Sequence, residues 1–375
     1  MAYPTLRQNE IFQALYNQIV GITTFANNIA GTNSQLLDMA REDLGLYGDT
    51  KVYISTDCLQ SYPWGADAEA TNLLQLHRPP EPKTQTIVLD KFSMIPLTVD
   101  TYLTKRAFGT EGAFSQFNSA IQAWILDTKR VIESCIYNQY IGSATTNKGK
   151  QLQTIGLSAI RANASTEEEA NRLEGVAIAQ FIADLLVDMT DVTRDYNDYG
   201  FLRSCAEGDI KVIWNSKYLN KILKVDLPTI YNKDGLVDKL SKYSLPARWF
   251  GRAVEESDIG AGNIIGADGL YDSTKGTLRA AEEFDYNDKH YFPGDALATS
   301  GTYVAVVGGL EASSVYIEDD SIVCKVYTKL PVMASSFNTQ TSFFNPRSLT
   351  ETFYNIYGRN TLQYFMNYPC ITVKA

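Results

Sequence analysis

The sequence predicts an α+β fold, and three stretches carry that expectation. They are an alternating, extended segment from Thr86 to Arg106, an apolar three-and-four repeat from Glu111 to Ile141, and a strand-then-helix passage opening at Ile210. Alternation with a period of two marks strands, and a period near 3.6 marks helices. At 375 residues the chain exceeds one ordinary core and suits two lobes. A hydrophobic share of 45% and a charged share of 20% belong to a globular protein.

The elements follow in order. Thr5 caps an expected first helix in which Leu6, Ile11, Leu15, Ile19 and Val20 recur at rough helical spacing. A second short helix is expected from Ser34 to Leu44, ending at Gly45, so the first residues read as an arm. From Lys51 to about Pro82 the text is irregular, and LHRPPEPK (Leu76 to Lys83) must be extended loop because its prolines cannot continue a helix. TIVLDKFSMIPLTVDTYLTKR (Thr86 to Arg106) then alternates like the two strands of a projecting hairpin, broken at Ser93 to Pro96.

The clearest element comes next. Phe114, Phe117, Ile121, Trp124, Ile125, Thr128, Val131, Ile132, Cys135 and Ile136 recur on one helical stripe, closed by Gly142. A helix from Glu111 to Ile141 would extend about 45 Å. Another is expected from Leu173 to Thr193, with Glu167, Glu168 and Glu169 just before it, where negative charge suits the positive helix end. IKVIWNSKYLNKILK (Ile210 to Lys224) reads as a buried strand, a cap at Asn215 or Ser216, and a short helix. Strand and helix pieces are expected to alternate up to about Leu310 as an α/β lobe. Ser314 to Thr328 reads as a hairpin turning at Asp319–Asp320, and ETFYNIYGRNTLQYFMNYPCITV as another turning at Gly358–Arg359–Asn360.

Charge and composition exclude several functions. The formal net charge is −10, so the average field of the chain does not coat DNA. No basic stretch followed by an apolar core marks a signal peptide at the N-terminus, and no apolar run is long enough to span a membrane. Cys58, Cys135, Cys205, Cys324 and Cys370 are scattered, without CxxC or a Cys/His pair at ligand spacing, and read as reduced thiols of a protein made in the cytosol.

Chemistry has little to build on. The two histidines, His77 in a proline-rich loop and His290 in a polar loop, read as lone surface imidazoles. HExxH, GxxxxGK[ST] and GxSxG are absent. Gly260, Gly262 and Gly266 are spaced one residue too long for a dinucleotide fingerprint. Cys58 and Cys205 are loop cysteines without a sequence-adjacent partner. Asp195-Tyr196-Asn197-Asp198 and Asp285-Tyr286-Asn287-Asp288 carry oxygen ligands but match no twelve-residue calcium loop, and read as polar turns. The aromatic tail (Tyr354, Tyr357, Tyr364, Phe365, Tyr368) fits core packing and an intersubunit surface equally well.

The order of these parts resembles a known family. An arm, an extended β loop ending at TIVLDKFSMIPLTVDTYLTKR, a very long helix, a second helix, a lobe opening with IKVIWNSKYLNKILK and closing aromatic strands resemble the Hong Kong 97 (HK97)-type major capsid fold of tailed phages. Within it, the match is to the major head proteins of small short-tailed phages. The likeness spans most of the chain and rests on order and texture. It implies an N-terminal arm at 1–50, an E-loop region at 51–106, a peripheral domain at 107–205 and 314–375 with its spine helix at about 111–141, and an inserted α/β axial domain at 206–313.

The resemblance also implies a function. The chain is expected to be a structural major capsid protein, assembling as pentamers and hexamers into an icosahedral or prolate shell. That shell encloses double-stranded DNA without sequence-specific binding. It belongs to the virion and forms in the host cytoplasm, with no membrane. Scaffolding, portal and minor capsid proteins are the implied partners. A separate scaffold is expected because the chain starts within about forty-five residues of its loop region. The family has no catalytic motif to transfer, so no catalytic, cofactor-binding or metal residue is assigned and no enzyme activity is expected. The alternatives are an encapsulin-type compartment shell and an enzyme with an α/β catalytic lobe.

Overall fold

The computed structural model describes residues 35–44, 50–62, 76–100, 111–144, 149–224, 243–260, 269–286, 288–299, 301–306, 310, 312–336, 339–362 and 366–375. The expected helix from Thr5 lies outside them. Helices and strands are mixed along the chain, with strands and 3-10 turns alone after the helix Ser216–Lys224 among the described residues, and an α+β class fits. The chain divides into two units, one of Met1–Asp49, Val88–Ser134 and Met333–Asn360, the other of Thr50–Ile87, Cys135–Val332 and Thr361–Ala375.

In the first unit, the helix Gln35–Ala40 buries Leu36, Leu37 and Ala40 on one side. It stops at Ala40, short of the expected Leu44, because Arg41–Leu44 leave as a strand parallel to Met333–Ser336. Thr350–Leu362 runs beside Val332–Ser336, Thr339–Asn345 and Lys91–Asp100. It is one strand of 13 residues, so the expected turn at Gly358–Arg359–Asn360 does not form. Gly358 serves close packing instead: a Cβ there would sit 2.7 Å from the Phe92 ring and 3.0 Å from Ser336 Oγ.

Lys91–Asp100 is likewise continuous through the expected break. Among the described residues this strand pairs on one side, with Thr350–Arg359, and proline in a sheet is confined to such edge strands. Nor does it form a hairpin with Lys83–Val88, which pairs instead with Thr50–Ser55, a strand inside text expected to be irregular.

The long helix runs unbroken from Glu111 to Ser143, 33 residues and about 50 Å. Within the first unit its buried Glu133 sits 3.7 Å from Lys129 and 3.9 Å from Arg41, and accepts a 3.0 Å bond from Ser335 Oγ. Three segments far apart in sequence therefore meet on one buried carboxylate.

In the second unit, five strands order as Leu152–Thr154, Cys370–Lys374, Ile322–Tyr327, Lys211–Asn215 and Tyr243–Leu245. One face packs Val212, Trp214, Val326 and Ile371 against Ile178, Ile182 and Leu185 of one helix and Leu219 and Ile222 of another. On the other face, Lys325 and Tyr327 reach the last carbonyls of the long helix. Lys325 Nζ donates to Ala144 O, and Tyr327 Oη donates to Ile141 O at 2.8 Å. These groups satisfy acceptors that a helix end leaves unpaired. Gly142 sits inside the last turn rather than beyond it, and a Cβ there would lie 2.0 Å from Trp249 O.

The second helix spans Glu167–Thr190 and begins six residues before the expected start. Glu167, Glu168 and Glu169 are its first turn. Thr166 Oγ1 accepts from the Glu169 amide, and Glu169 reaches back to the Ser165 amide at 3.0 Å. Capping extended the element beyond its apolar stripe.

Lys211–Asn215 and the helix Ser216–Lys224 match the expected strand, cap and helix, with Asn215 Oδ1 accepting from the Lys217 amide. From Tyr243 to Ser314 the described residues form short strands and 3-10 turns where helix pieces were also expected, with no α-helix among them; 225–242 and 261–268 lie outside the described residues. Ala296–Ala298, Leu278–Ala280, Val315–Glu318 and Gly251–Arg252 make an antiparallel sheet over Tyr271, Leu278 and Ile317. The passage Ser314 to Thr328 turns at Asp319–Asp320 as expected, but its two strands enter different sheets rather than pairing.

Candidate association surfaces

The chemistry-bearing side chains lie apart and are mostly engaged locally. His77 is exposed, its ring 4.2 Å from Tyr62. Both line a recess of about 700 Å³ with Asp57, Cys58, Arg78 and Arg194. Arg194 binds Asp57 at 2.6 Å, and this bond and the Leu202 amide hold the Asp57 carboxyl at about 2. Cys58 is exposed and Cys205 half-buried, where burial pushes its thiol up. Cys324 and Cys370 are buried in the five-stranded sheet.

His290 is not a lone imidazole in a loop. It lies on the strand Lys289–Tyr291 between Asp285 and Glu283. The first Asp-Tyr-Asn-Asp run disperses its oxygens: Asp195 meets Lys150 at 2.7 Å, Tyr196 donates to Asp188, Asn197 brackets the Phe201 backbone, and Asp198 accepts from Gln151. Of the second, Asp285 and Tyr286 lie on a strand paired with Lys289–Tyr291 and Asp288 has φ 58, while Asn287 lies outside the described residues. Gly262 and Gly266 lie outside the described residues. Among the described residues, no three His, Cys, Asp or Glu side chains converge as metal ligands.

What the described surface does offer is exposed apolar sheet. In the first unit, directly opposed residues share a face: Phe92 with Gly358, Met94 with Ile356, Pro96 with Tyr354, and Thr98 with Thr352 and Phe343. This makes one uncharged row in which Phe92, Met94 and Phe343 are 47%, 52% and 62% exposed. The signal was in the sequence, in the alternation of Phe92, Met94, Pro96 and Thr98, but Pro96 hid it. Tyr354 stands half-buried in this row, whereas Tyr357 is core. The described part of the aromatic tail thus divides between the core and a partly exposed row. Tyr364 and Phe365 lie outside the described residues.

In the second unit, Thr50–Ser55 and Lys83–Val88 form, among the described residues, a ribbon of two strands. Val52 and Ile54 are 53% and 68% exposed on it. A two-stranded ribbon is marginal alone. Nothing in the composition pointed to it, because the strand is short and flanked by polar loops.

No protein-family model matches the chain, and no curated protein sequence matches it. Solved structures do. The capsid structure of Staphylococcus phage Andhra superposes with a TM-score of 0.57 at 10% identity, covering 100% of this chain and 88% of that one. The structure of the head fiber and inner core protein gp22 of native bacteriophage P68 superposes with a TM-score of 0.55 at 11% identity, again covering 100% and 88%. At this identity the likeness is one of fold, and it extends over the whole chain.

Proposed function

We propose that the chain is the major capsid protein of a tailed bacteriophage, a structural subunit that tiles a closed shell around the genome. The observation that carries this reading is the fold shared along the full chain with the Andhra phage capsid structure. The unbroken helix Glu111–Ser143 supports it, as do the two exposed apolar surfaces. In this reading the N-arm is 1–50, the E-loop region 51–106, the peripheral domain 107–205 with 314–375, and the axial domain 206–313.

The physical task is repeated, curved association. The ribbon Thr50–Ser55 with Lys83–Val88 lies over a neighbouring subunit and gains there the cover it lacks in one chain. The uncharged row around Phe92, Met94 and Phe343 takes part of a second neighbour. Each contact is weak, and closed symmetry of pentamers and hexamers multiplies them. No step needs a catalytic residue, cofactor or metal. Scaffolding, portal and minor capsid proteins are the expected partners, and the shell forms in the host cytoplasm. A subunit of net charge −10 encloses double-stranded DNA without gripping it.

Negative-stain microscopy and sedimentation of the expressed chain test the proposal. Closed shells of uniform diameter are expected, and a stable monomer under all assembly conditions overturns it. DNA binding by the empty shells at low salt tests the last point, where tight and salt-sensitive binding is the contrary result.

A further inference from the structure

His290 is held on both sides of its ring. It sits on Lys289–Tyr291 directly opposite Asp285 on Phe284–Tyr286. Its Nδ1 is 2.6 Å from Asp285 Oδ1 and its Nε2 is 2.8 Å from Glu283 Oε1. Phe292 meets the ring edge-on, with centroids 4.8 Å apart. The other side of the strand pair is aromatic: Phe284 stacks on Tyr291, and Phe284 and Tyr286 pack against the core of the antiparallel sheet.

The proton count decides what this geometry means. A neutral imidazole has one N–H and one lone pair, so it donates to one carboxylate only. Its bare nitrogen would then face the lone pairs of the second. Two ionised carboxylates at these distances are satisfied together by the imidazolium, which donates from both nitrogens. Among the described residues no other cation pairs with either carboxylate, and Lys289 lies over the Tyr291 ring at 4.6 Å. A metal ion on one ring nitrogen would reach only one of the two carboxylates.

We propose that the strand pair Phe284–Tyr286 and Lys289–Tyr291 is a proton-operated clamp, in which the His290 imidazolium ties Glu283 to Asp285 and loss of its proton releases the outer side while the aromatic side stays docked. The hydrogen bond to Asp285 raises the imidazole above its ordinary 6.5 against the opposing effect of burial, and that to Glu283 adds to the rise. A folded value above the unfolded one fixes the sign. The stabilisation is fully present below about pH 6.5 and is lost as pH rises through the higher folded value. Deprotonation also leaves the patch more negative by one charge.

The experiment is solid-state NMR of the full-length protein labelled with ¹⁵N-histidine, sedimented and titrated from acid to alkaline pH. It applies whether the chain is free or assembled. His77→Gln leaves His290 as the single histidine signal. Both His290 nitrogens should carry protons at pH 6.5, and the midpoint should lie above that value. In Glu283→Gln/Asp285→Asn the midpoint should fall back to about 6.5. Hydrogen exchange across 284–291 should accelerate above the midpoint in the wild type and show no such step in His290→Gln. Should the double variant misfold, Asp285→Asn alone must still lower the midpoint. A ring neutral at pH 6.5, a midpoint indifferent to the carboxylates, or exchange that ignores the midpoint each overturns the clamp.

Discussion

Lys325 is fully buried on a central strand, and its ammonium supplies a donor to the end of the long helix. Burial lowers its pKa to about 8, against an ordinary 10.5. Between those values the unfolded chain holds a proton that the folded chain has released, so stability from this residue rises with pH. In thermal unfolding, wild type should therefore gain on Lys325→Met as pH increases from 8 to 10; a gap that shrinks would contradict the assignment. Gly142 is governed by space. Gly142→Ala drives a methyl into the Trp249 carbonyl, and overpacking of this kind costs about 1–3 kcal/mol. Denaturant titration of the variant measures it.

Elements here are set by their ends and partners as much as by their apolar stripes. The helix Glu167–Thr190 depends on Thr166, and Thr166→Ala should cost about 1 kcal/mol and fray the first turn, visible as faster exchange at Glu167 to Ala170. The long helix was legible in the sequence because a stripe of more than eight turns has no competing reading. The strand, cap and helix from Lys211 to Lys224 were legible because Asn215 sits where the period changes. The hairpins were not. Asp319–Asp320 does turn the chain, but which sheet each strand then joins is decided by partners such as Lys211–Asn215, roughly 110 residues away in sequence. Gly358 looked like a turn because glycine signals both a turn and a close approach, and only the Phe92 ring distinguishes them. The His290 site escaped notice because Asp285 reaches it through strand pairing, and Glu283 from just before the same strand, rather than through a motif.

At the scale of the molecule, folding and association should separate under mutation. Val52→Asp with Ile54→Asp changes side chains that are largely exposed, so the melting temperature should hold while shell formation fails. Circular dichroism and sedimentation read the two outcomes independently, and intact shells from this variant would remove the ribbon from the interface. Subunits that each carry a charge of −10 repel one another, so shell yield should rise as salt shortens the screening length to about 10 Å near 0.1 M. Light scattering across a salt series measures that rise. The parallel pairing of Arg41–Leu44 with Met333–Ser336 sets a clock on these events. Its two halves leave the ribosome roughly 290 residues apart, which at bacterial elongation rates is about 15–60 s. Throughout that interval the early strand waits without its mate, so this part of the first unit closes only after Ser336 has been made.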